Sequence, residues 1–280
     1  MGGESKGMTM KAEKSNLTLE AEEAGVSEML AALSEDEKAS LPDPNMPLRH
    51  LRADKGDVKV AIRKMKETLA WRKEFQVEKI AKCFEEGGDE EMRSILRAEN
   101  ATGKIYVRGG YDNEGRATLY MRPHLENTKG ELNQMRHLVY NLERVIACTH
   151  RNSGYEKINL MIDFDGYRLR DAPPLSTSKH TLTILQNHYP ERMFKAYVCN
   201  PPFAFRAFWI IIQPFLDSLT KEKIIFCHGK SGVAKVAARY DLANVEKCGG
   251  GIDGENCLPF NSEQYFSAPL EYGFGEVHEK

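Results

Sequence analysis

The middle and end of this 280-residue chain predict an α/β fold built on a mixed, largely parallel sheet, preceded by a small all-helical subdomain. Short apolar runs of strand composition recur at 104–107, 117–121, 158–162, 194–199 and 223–227, with helical stretches between them. Strands that alternate with helices need crossover connections, and crossovers give parallel pairing. Upstream of Lys104 the apolar residues recur only at helical spacing, which assigns that region to helices.

Taken in order, residues 1–16 are rich in Gly, Lys, Glu and Ser and are expected to be disordered, with a short helix over Leu17–Leu33. The stretch Leu41-Pro42-Asp43-Pro44-Asn45-Met46-Pro47 is dense in helix breakers and marks a boundary. Asp57 suits the cap of a helix whose apolar residues Val58, Ile62, Met65, Leu69 and Trp71 share a face, and further short helical patterns run to Leu96. The expected division is an acidic N-terminal tail over 1–44, a helical subdomain over 45–100, the main domain over 101–262 and a C-terminal tail over 263–280. Within the main domain, Leu132, Met135, Leu138, Leu142 and Val145 predict one clear helix, and a second covers about 175–188.

The run Phe203-Ala204-Phe205-Arg206-Ala207-Phe208-Trp209-Ile210-Ile211-Ile212 is unusual, because a helix with this sequence has no polar face to give to water. Two readings fit it. One is a fully buried core helix; the other is a helix that borders an apolar cavity and meets a membrane when that cavity opens, with Phe208 and Trp209 on its outer face. It is too short to cross a bilayer, and Pro214 ends it.

Composition removes several classes of function. The chain is 41% hydrophobic and 29% charged, enough for a sizeable core, and its net charge of −2 offers no global field to a nucleic acid. Residues 1–44 carry ten acids against Lys6, Lys11, Lys14 and Lys38, which reads as a solvated segment. Residues 45–75 carry nine Lys or Arg against four acids, which reads as solvated helix surface or as an aid to membrane docking. The six cysteines form no C-x-x-C pair and several lie in apolar runs, where a free thiol acts as a small hydrophobe; this suits a reducing compartment. No histidines fall at metal-ligand spacing. The first residues lack the apolar core of a signal peptide, and Lys6 stands where a myristoylation pattern needs Ser or Thr. No run approaches the roughly 18 apolar residues of a membrane span, so a cytoplasmic monomer is expected.

Gly229-Lys230-Ser231 invites a phosphate-loop reading, but that loop needs a glycine at the position of Ile224, inside the strand. Only His228 separates strand from Gly229, which leaves no length for a phosphate cradle. Gly249-Gly250-Gly251 lacks dinucleotide-binding spacing and reads as a turn. Asp163 and Asp165 suit a turn cap better than a cation site. No catalytic constellation emerges, so the chain is read as a binding protein without enzymatic activity, metal or cofactor.

The stretch Tyr189-Pro190-Glu191-Arg192-Met193, followed by Ala196-Tyr197-Val198-Cys199-Asn200-Pro201-Pro202-Phe203-Ala204-Phe205, closely resembles the lipid-binding core of the CRAL-TRIO family, which includes the fungal phosphatidylinositol/phosphatidylcholine transfer proteins. The likeness continues through Pro214-Phe215-Leu216-Asp217, Thr220 and Lys223-Ile224. Upstream, Leu48-Arg49-His50-Leu51-Arg52-Ala53 and Trp71-Arg72-Lys73 look like the family's helical subdomain, and Asp112-Asn113-Glu114-Gly115-Arg116 like its hairpin. The resemblance implies helices and sheet enclosing an apolar pocket with a mobile gate, here the 203–213 segment with Phe203, Phe205, Phe208, Trp209 and Ile212. It further implies one bound phospholipid or other hydrophobic ligand, transient contact with membranes, and a phosphatidylinositol headgroup held by Glu191, Thr220 and Lys223. The residues alone also allow Glu191 and Lys223 to be an ordinary ion pair near two strand ends.

The sequence departs from the family at several polar positions. A family arginine near the inositol phosphate falls on Asp54. The hydroxyl groups that hold a phosphatidylcholine headgroup fall on Ile158 and Leu160, and the two associated tyrosines on Arg108 and Leu119. A second ligand is therefore expected to be a sterol, a retinoid-like molecule or another hydrophobe. The resemblance implies that the bound lipid is transferred or presented between membranes; the alternatives are a carrier of a sterol, tocopherol or retinoid, or a regulatory lipid-sensing interaction module.

Overall fold

The computed structural model describes residues 16–168, 172–203, 205–251 and 259–278. In chain order its main elements are α1 (Leu19–Ala31), α2 (Glu35–Ala39), α3 (Met46–Ala53), α4 (Val58–Glu74), α5 (Val77–Ala81), α6 (Glu90–Glu99), β1 (Ile105–Tyr111), β2 (Ala117–Met121), α7 (Glu131–Ser153), β3 (Ile158–Asp163), α8 (Leu175–Thr183), β4 (Met193–Cys199), α9 (Phe205–Ile212), α10 (Ser218–Lys223), β5 (Ile224–Cys227), α11 (Gly229–Ala237) and α12 (Ser262–Ser267). They divide into two units, one of Glu13–Ile80 with Pro173–Arg192, the other of Ala81–Ala172 with Met193–Lys280. The N-terminal residues before Asn16, expected to be disordered, lie outside the described residues, as do Ala204 and Cys257.

The helical unit starts from strong local signals. Thr18 caps α1 by accepting from the Ala21 amide, Ser34 and Glu37 cap α2 reciprocally, and Asp57 caps α4 by accepting from the Val60 amide at 3.1 Å. Each such cap contributes about 1 kcal/mol. Met29 and Leu33 from the first helix and its end pack with Met46, Leu51, Ala61, Met65 and Leu69, so residues upstream of position 45 share one core with those after it. A Cβ on Gly25 would lie 2.6 Å from Leu51 Cδ2, which explains why glycine stands where α1 meets α3. Much of the basic run at 49–73 is neutralised within this unit: Arg49 pairs with Asp43, Arg52 with Glu22, Arg63 with Glu67, Lys66 with Glu37 and Arg72 with Glu78.

In the other unit the strands lie in the order β1-β2-β3-β4-β5. The first pair is antiparallel and every later pair parallel, as the alternation of strands and helices requires. The β1–β2 hairpin turns through Asp112–Arg116, where the Asp112 carboxylate accepts from the Glu114 and Arg116 amides at 3.0 and 2.8 Å. Helix α7 follows β2 and ties back to it, the Ala117 amide donating to Thr149 Oγ1 at 3.0 Å. Residues 263–278, expected as a tail, pack on β1. The Phe274 amide donates to Val107 O and the Gly109 amide to Phe274 O, both at 2.8 Å, which covers the open edge of the sheet. Tyr265 is fully buried there, accepting from the Val107 amide and donating to Asn141 Oδ1 at 2.6 Å.

Candidate functional site

One face of the sheet is apolar across its parallel strands. Val198 pairs with Ile162 on β3 and Phe226 on β5, and it packs with Phe205 of α9, so α9 covers this face. Side chains two residues apart in a strand share a face. Leu160, the Leu119 that pairs with it, Ala196 and Ile224 therefore belong to the same apolar surface. The opposite face mixes apolar groups such as Met161 with hydrogen-bonded polar ones: Thr118 Oγ1 meets the Tyr240 hydroxyl at 2.8 Å, and Asn159 donates to Asp112 at 3.0 Å.

Helix α9 lies on the apolar face with Phe205 and Ile212 buried. The Phe205 ring is 4.5 Å from that of Phe164, and Trp209 meets Phe226 edge-on at 5.2 Å. Phe208 and Trp209 are half-buried against this cluster, so neither forms the outer face expected of them. A helix seated by Phe205 and Ile212 turns the residues between them inward on every third or fourth step. The outward side carries Ile210 and Ile211, 63% and 52% exposed, with the exposed Arg206 as its one charge, and the helix is flanked by Phe203, 84% exposed, and exposed Phe215. A short helix that is apolar toward the sheet and exposes aliphatic and aromatic groups beside a single arginine is the patch that sequence alone left between two readings, and such a patch marks an interaction surface.

The headgroup candidates fall as follows. Thr220 and Lys223 lie one turn apart on α10, Lys223 being half-buried at its end, directly before β5. Asp217 caps α10 by accepting from the Thr220 amide at 2.8 Å and from the Thr220 hydroxyl at 2.5 Å. Burial raises the Asp217 carboxyl, but these two bonds outweigh it and hold the pKa below the ordinary carboxylate range. Thr220 thus spends its donor on Asp217 and keeps acceptor capacity only. Glu191 belongs to the helical unit, in the turn before β4, with φ of 57°. That left-handed backbone is uncommon for a residue with a Cβ and costs about 1 kcal/mol.

The positions that depart from the family are engaged elsewhere or apolar. Arg108 is buried and paired with Glu246, which also accepts from the Tyr106 hydroxyl at 2.7 Å and from Arg122 at 3.1 Å. Asp54 pairs with Lys64 inside the helical unit. Leu119, Ile158 and Leu160 are all buried. Helix α11 begins at Gly229 with His228 as its cap, so no loop separates it from β5. Asp163 accepts from the Asp165 amide at 3.0 Å, a turn cap, and Gly250 supplies the left-handed turn after residues 247–249.

A mixed five-stranded sheet with one apolar face, covered by a helix that exposes Ile210 and Ile211 on its outer side, defines the class: an α/β binding fold built around hydrophobic surface. Residues 100–251 match the CRAL/TRIO domain, and the chain belongs to that family. It is 31% identical over 244 residues to the CRAL-TRIO domain-containing protein YKL091C of Saccharomyces cerevisiae, covering 82% of this chain and 77% of that protein. It is 37% identical over 184 residues to the phosphatidylinositol transfer protein PDR17 of the same yeast, covering 64% of this chain and 51% of that one. A CRAL-TRIO domain-containing protein of Schizosaccharomyces pombe is 40% identical over 179 residues, 64% of this chain but 16% of that protein. The chain thus spans about half or less of two of these relatives. The fold is also similar to that in the crystal structure of Sfh5, with a TM-score of 0.61, 16% identity and coverage of 88% and 91% of the two chains.

Proposed function

We propose that this chain encloses one lipid at a time, with phosphatidylinositol as the ligand, and transfers or presents it between membranes without covalent chemistry or a further cofactor. The observation that carries this reading is α9, which packs Phe205 and Ile212 on an apolar sheet face and exposes Ile210 and Ile211 on its other side. Family membership and a relative named for phosphatidylinositol transfer support it. Moving a two-chain lipid through water exposes about thirty methylenes at about 0.8 kcal/mol each, roughly 25 kcal/mol in all, which only an apolar enclosure can offset. Opening of α9 is the proposed gate, with Ile210, Ile211, Phe203 and Phe215 entering the membrane interface.

Glu191, Thr220 and Lys223 are proposed to select the headgroup, the Lys223 ammonium meeting phosphate. Thr220 then has to accept from the headgroup, or release Asp217 to donate to it. The test is vesicle-to-vesicle transfer by wild type, Lys223→Ala and Glu191→Ala, with melting temperature measured alongside. Loss of a charge-assisted contact of about 1.5–3 kcal/mol predicts a drop of roughly tenfold or more in phosphatidylinositol transfer at an unchanged melting temperature. Equal loss for every lipid, or a collapse in melting temperature, assigns these residues to structure. Phosphatidylcholine transfer is expected to be negligible, because Leu119, Ile158 and Leu160 offer a choline headgroup no hydroxyl. The same apolar positions favour a non-phospholipid hydrophobe of sterol, tocopherol or retinoid type as second ligand, and native mass spectrometry of the purified protein distinguishes the two.

A further inference from the structure

The ends of β4 and β5 hold a group that lipid binding does not use. Cys199 closes β4, Cys227 closes β5, and the two are register partners on adjacent parallel strands. Adjacent strands run about 4.8 Å apart, inside the roughly 4.4–6.8 Å between Cα atoms that a disulfide spans. Cys248, in the turn of residues 247–249, lines the same cavity as Cys227. All three are free. An open cavity of about 110 Å³, lined by Asn200, Cys227, Gly229, Gly232, Lys247 and Cys248, gives access to two of them. A water takes up about 30 Å³, so that space admits a peroxide molecule. Among the described residues no group of three or more His, Cys, Asp or Glu is arranged to hold a metal ion.

The surroundings give the thiols different chemistry. Cys227 lies just before the His228 cap of α11, at the positive end of that helix. Close approach depends on Gly232, where a Cβ would lie 2.6 Å from the Cys227 carbonyl carbon. Lys235 donates to Phe226 O at 2.9 Å, which fixes an ammonium beside the strand end. Cys199 lowers the Cys227 pKa, burial opposes it, and Lys235 adds to the lowering, while the Cys227 thiol donates to Ile225 O at 3.7 Å. Cys227 and Cys248, together with burial, hold Cys199 as the thiol.

We propose that Cys227 and Cys199, with Cys248 against them, form a peroxide-responsive thiol site in which Cys227 is oxidised first and Cys199 closes a disulfide onto it. The Cys227 thiolate attacks one oxygen of hydrogen peroxide and the O–O bond breaks. Hydroxide leaves and takes up a proton to become water, and Cys227 is a sulfenic acid. The Cys199 sulfur then attacks the Cys227 sulfur, the S–O bond breaks, and hydroxide leaves with the Cys199 proton as a second water. Two thiols and one peroxide thus give one disulfide and two waters. The link lies at the root of the segment into α9, where the Asn200 amide donates to Cys227 O at 3.1 Å.

The experiment treats the reduced full-length chain with hydrogen peroxide, blocks remaining thiols with N-ethylmaleimide, and maps tryptic peptides without reductant. The peptides 196–206 and 224–230 carry Cys199 and Cys227 as their only cysteines. They are expected to appear joined, two hydrogens lighter than their sum, and to separate with dithiothreitol. Cys83 and Cys148 are internal controls, since burial pushes both thiols up to about 12. Cys227→Ser should slow oxidation of Cys199 by roughly tenfold or more, whereas Cys248→Ser should retain the link. The proposal is overturned if Cys199 and Cys227 stay fully alkylated when Cys83 and Cys148 oxidise, or if Cys227→Ser leaves the rate for Cys199 unchanged. The wild-type map decides the question without any variant.

Discussion

His50, on α3, is 2% exposed, and burial, with the positive charges of Arg49, His188 and Lys64, depresses its pKa to about 3. His188, in the π-turn Ile184–His188, is depressed to about 4, mainly by burial. Its ring stacks on Trp71 at 4.0 Å, and its Nδ1 lies 3.2 Å from the Thr68 hydroxyl, which reaches Asn187 O at 3.0 Å. In the unfolded chain both rings titrate near 6.5. Their folded pKa values lie lower, so between about pH 6.5 and 3 the unfolded chain binds protons that the folded chain lacks. Stability is then full above pH 6.5 and declines as pH falls. At pH 5 His50 alone costs about 1.5 pH units at 1.36 kcal/mol each, about 2 kcal/mol. His188 adds in the same direction but less, because water reaches it. Asp43, which burial raises but Arg49 and Arg192 bring to about 2, loses its contribution only at lower pH, as pH falls from near 4 toward 2. The assay is urea unfolding at pH 7 and pH 5, with amide exchange of α3 and α4 assigning the loss to the helical unit. Wild type should lose about 2 kcal/mol or more, and His50→Gln should lose about 2 kcal/mol less over the same interval. Equal losses for the two proteins would refute the reasoning.

The two sides of α9 should respond in opposite ways. Ile210→Asp with Ile211→Asp should abolish vesicle association and barely move the melting temperature, since both side chains already face water; Phe205→Ala should cost about 3–5 kcal/mol in chemical denaturation. Unfolding by the double aspartate would show that the outer side is covered. Glu246→Gln withdraws the shared partner of Arg108 and Arg122, and breaking a buried ion pair of this kind should cost about 3–5 kcal/mol, read as a fall in melting temperature. A variant that melts with wild type would place those guanidinium groups in water.

Much of the backbone was legible from local pattern. All five strands form within a residue or two of their apolar runs, except that β1 extends to Tyr111. Its last residues, Arg108-Gly109-Gly110-Tyr111, lack strand composition and are held from outside, by Phe274 on the Gly109 amide. Asp57 caps α4, as expected from its place just before the apolar helical run that starts at Val58, and Asp163 caps its own turn. The 203–212 run announced its oddity through composition alone. Arg206, its one charge, marks a side that faces water, but aromatic and aliphatic groups on every other side leave open which of them meet the sheet.

By itself, then, the sequence determined the alternation of strands and helices, the parallel pairing that follows from it, the family, and the short apolar helix on which the proposed function rests. Tertiary structure alone decided which of its aromatics turn inward, that Glu246 sits against Arg108 and Arg122, and that residues 263–278 close the edge of β1. It also gathered Cys199, Cys227 and Cys248, each of which reads singly as a small hydrophobe. The physical reason is one of range. Periods of two and 3.6 residues are properties of the local backbone and are written in neighbouring side chains. Pairings such as Tyr106 with Glu246, 140 positions apart, exist only once strand register and crossovers have fixed which surfaces meet.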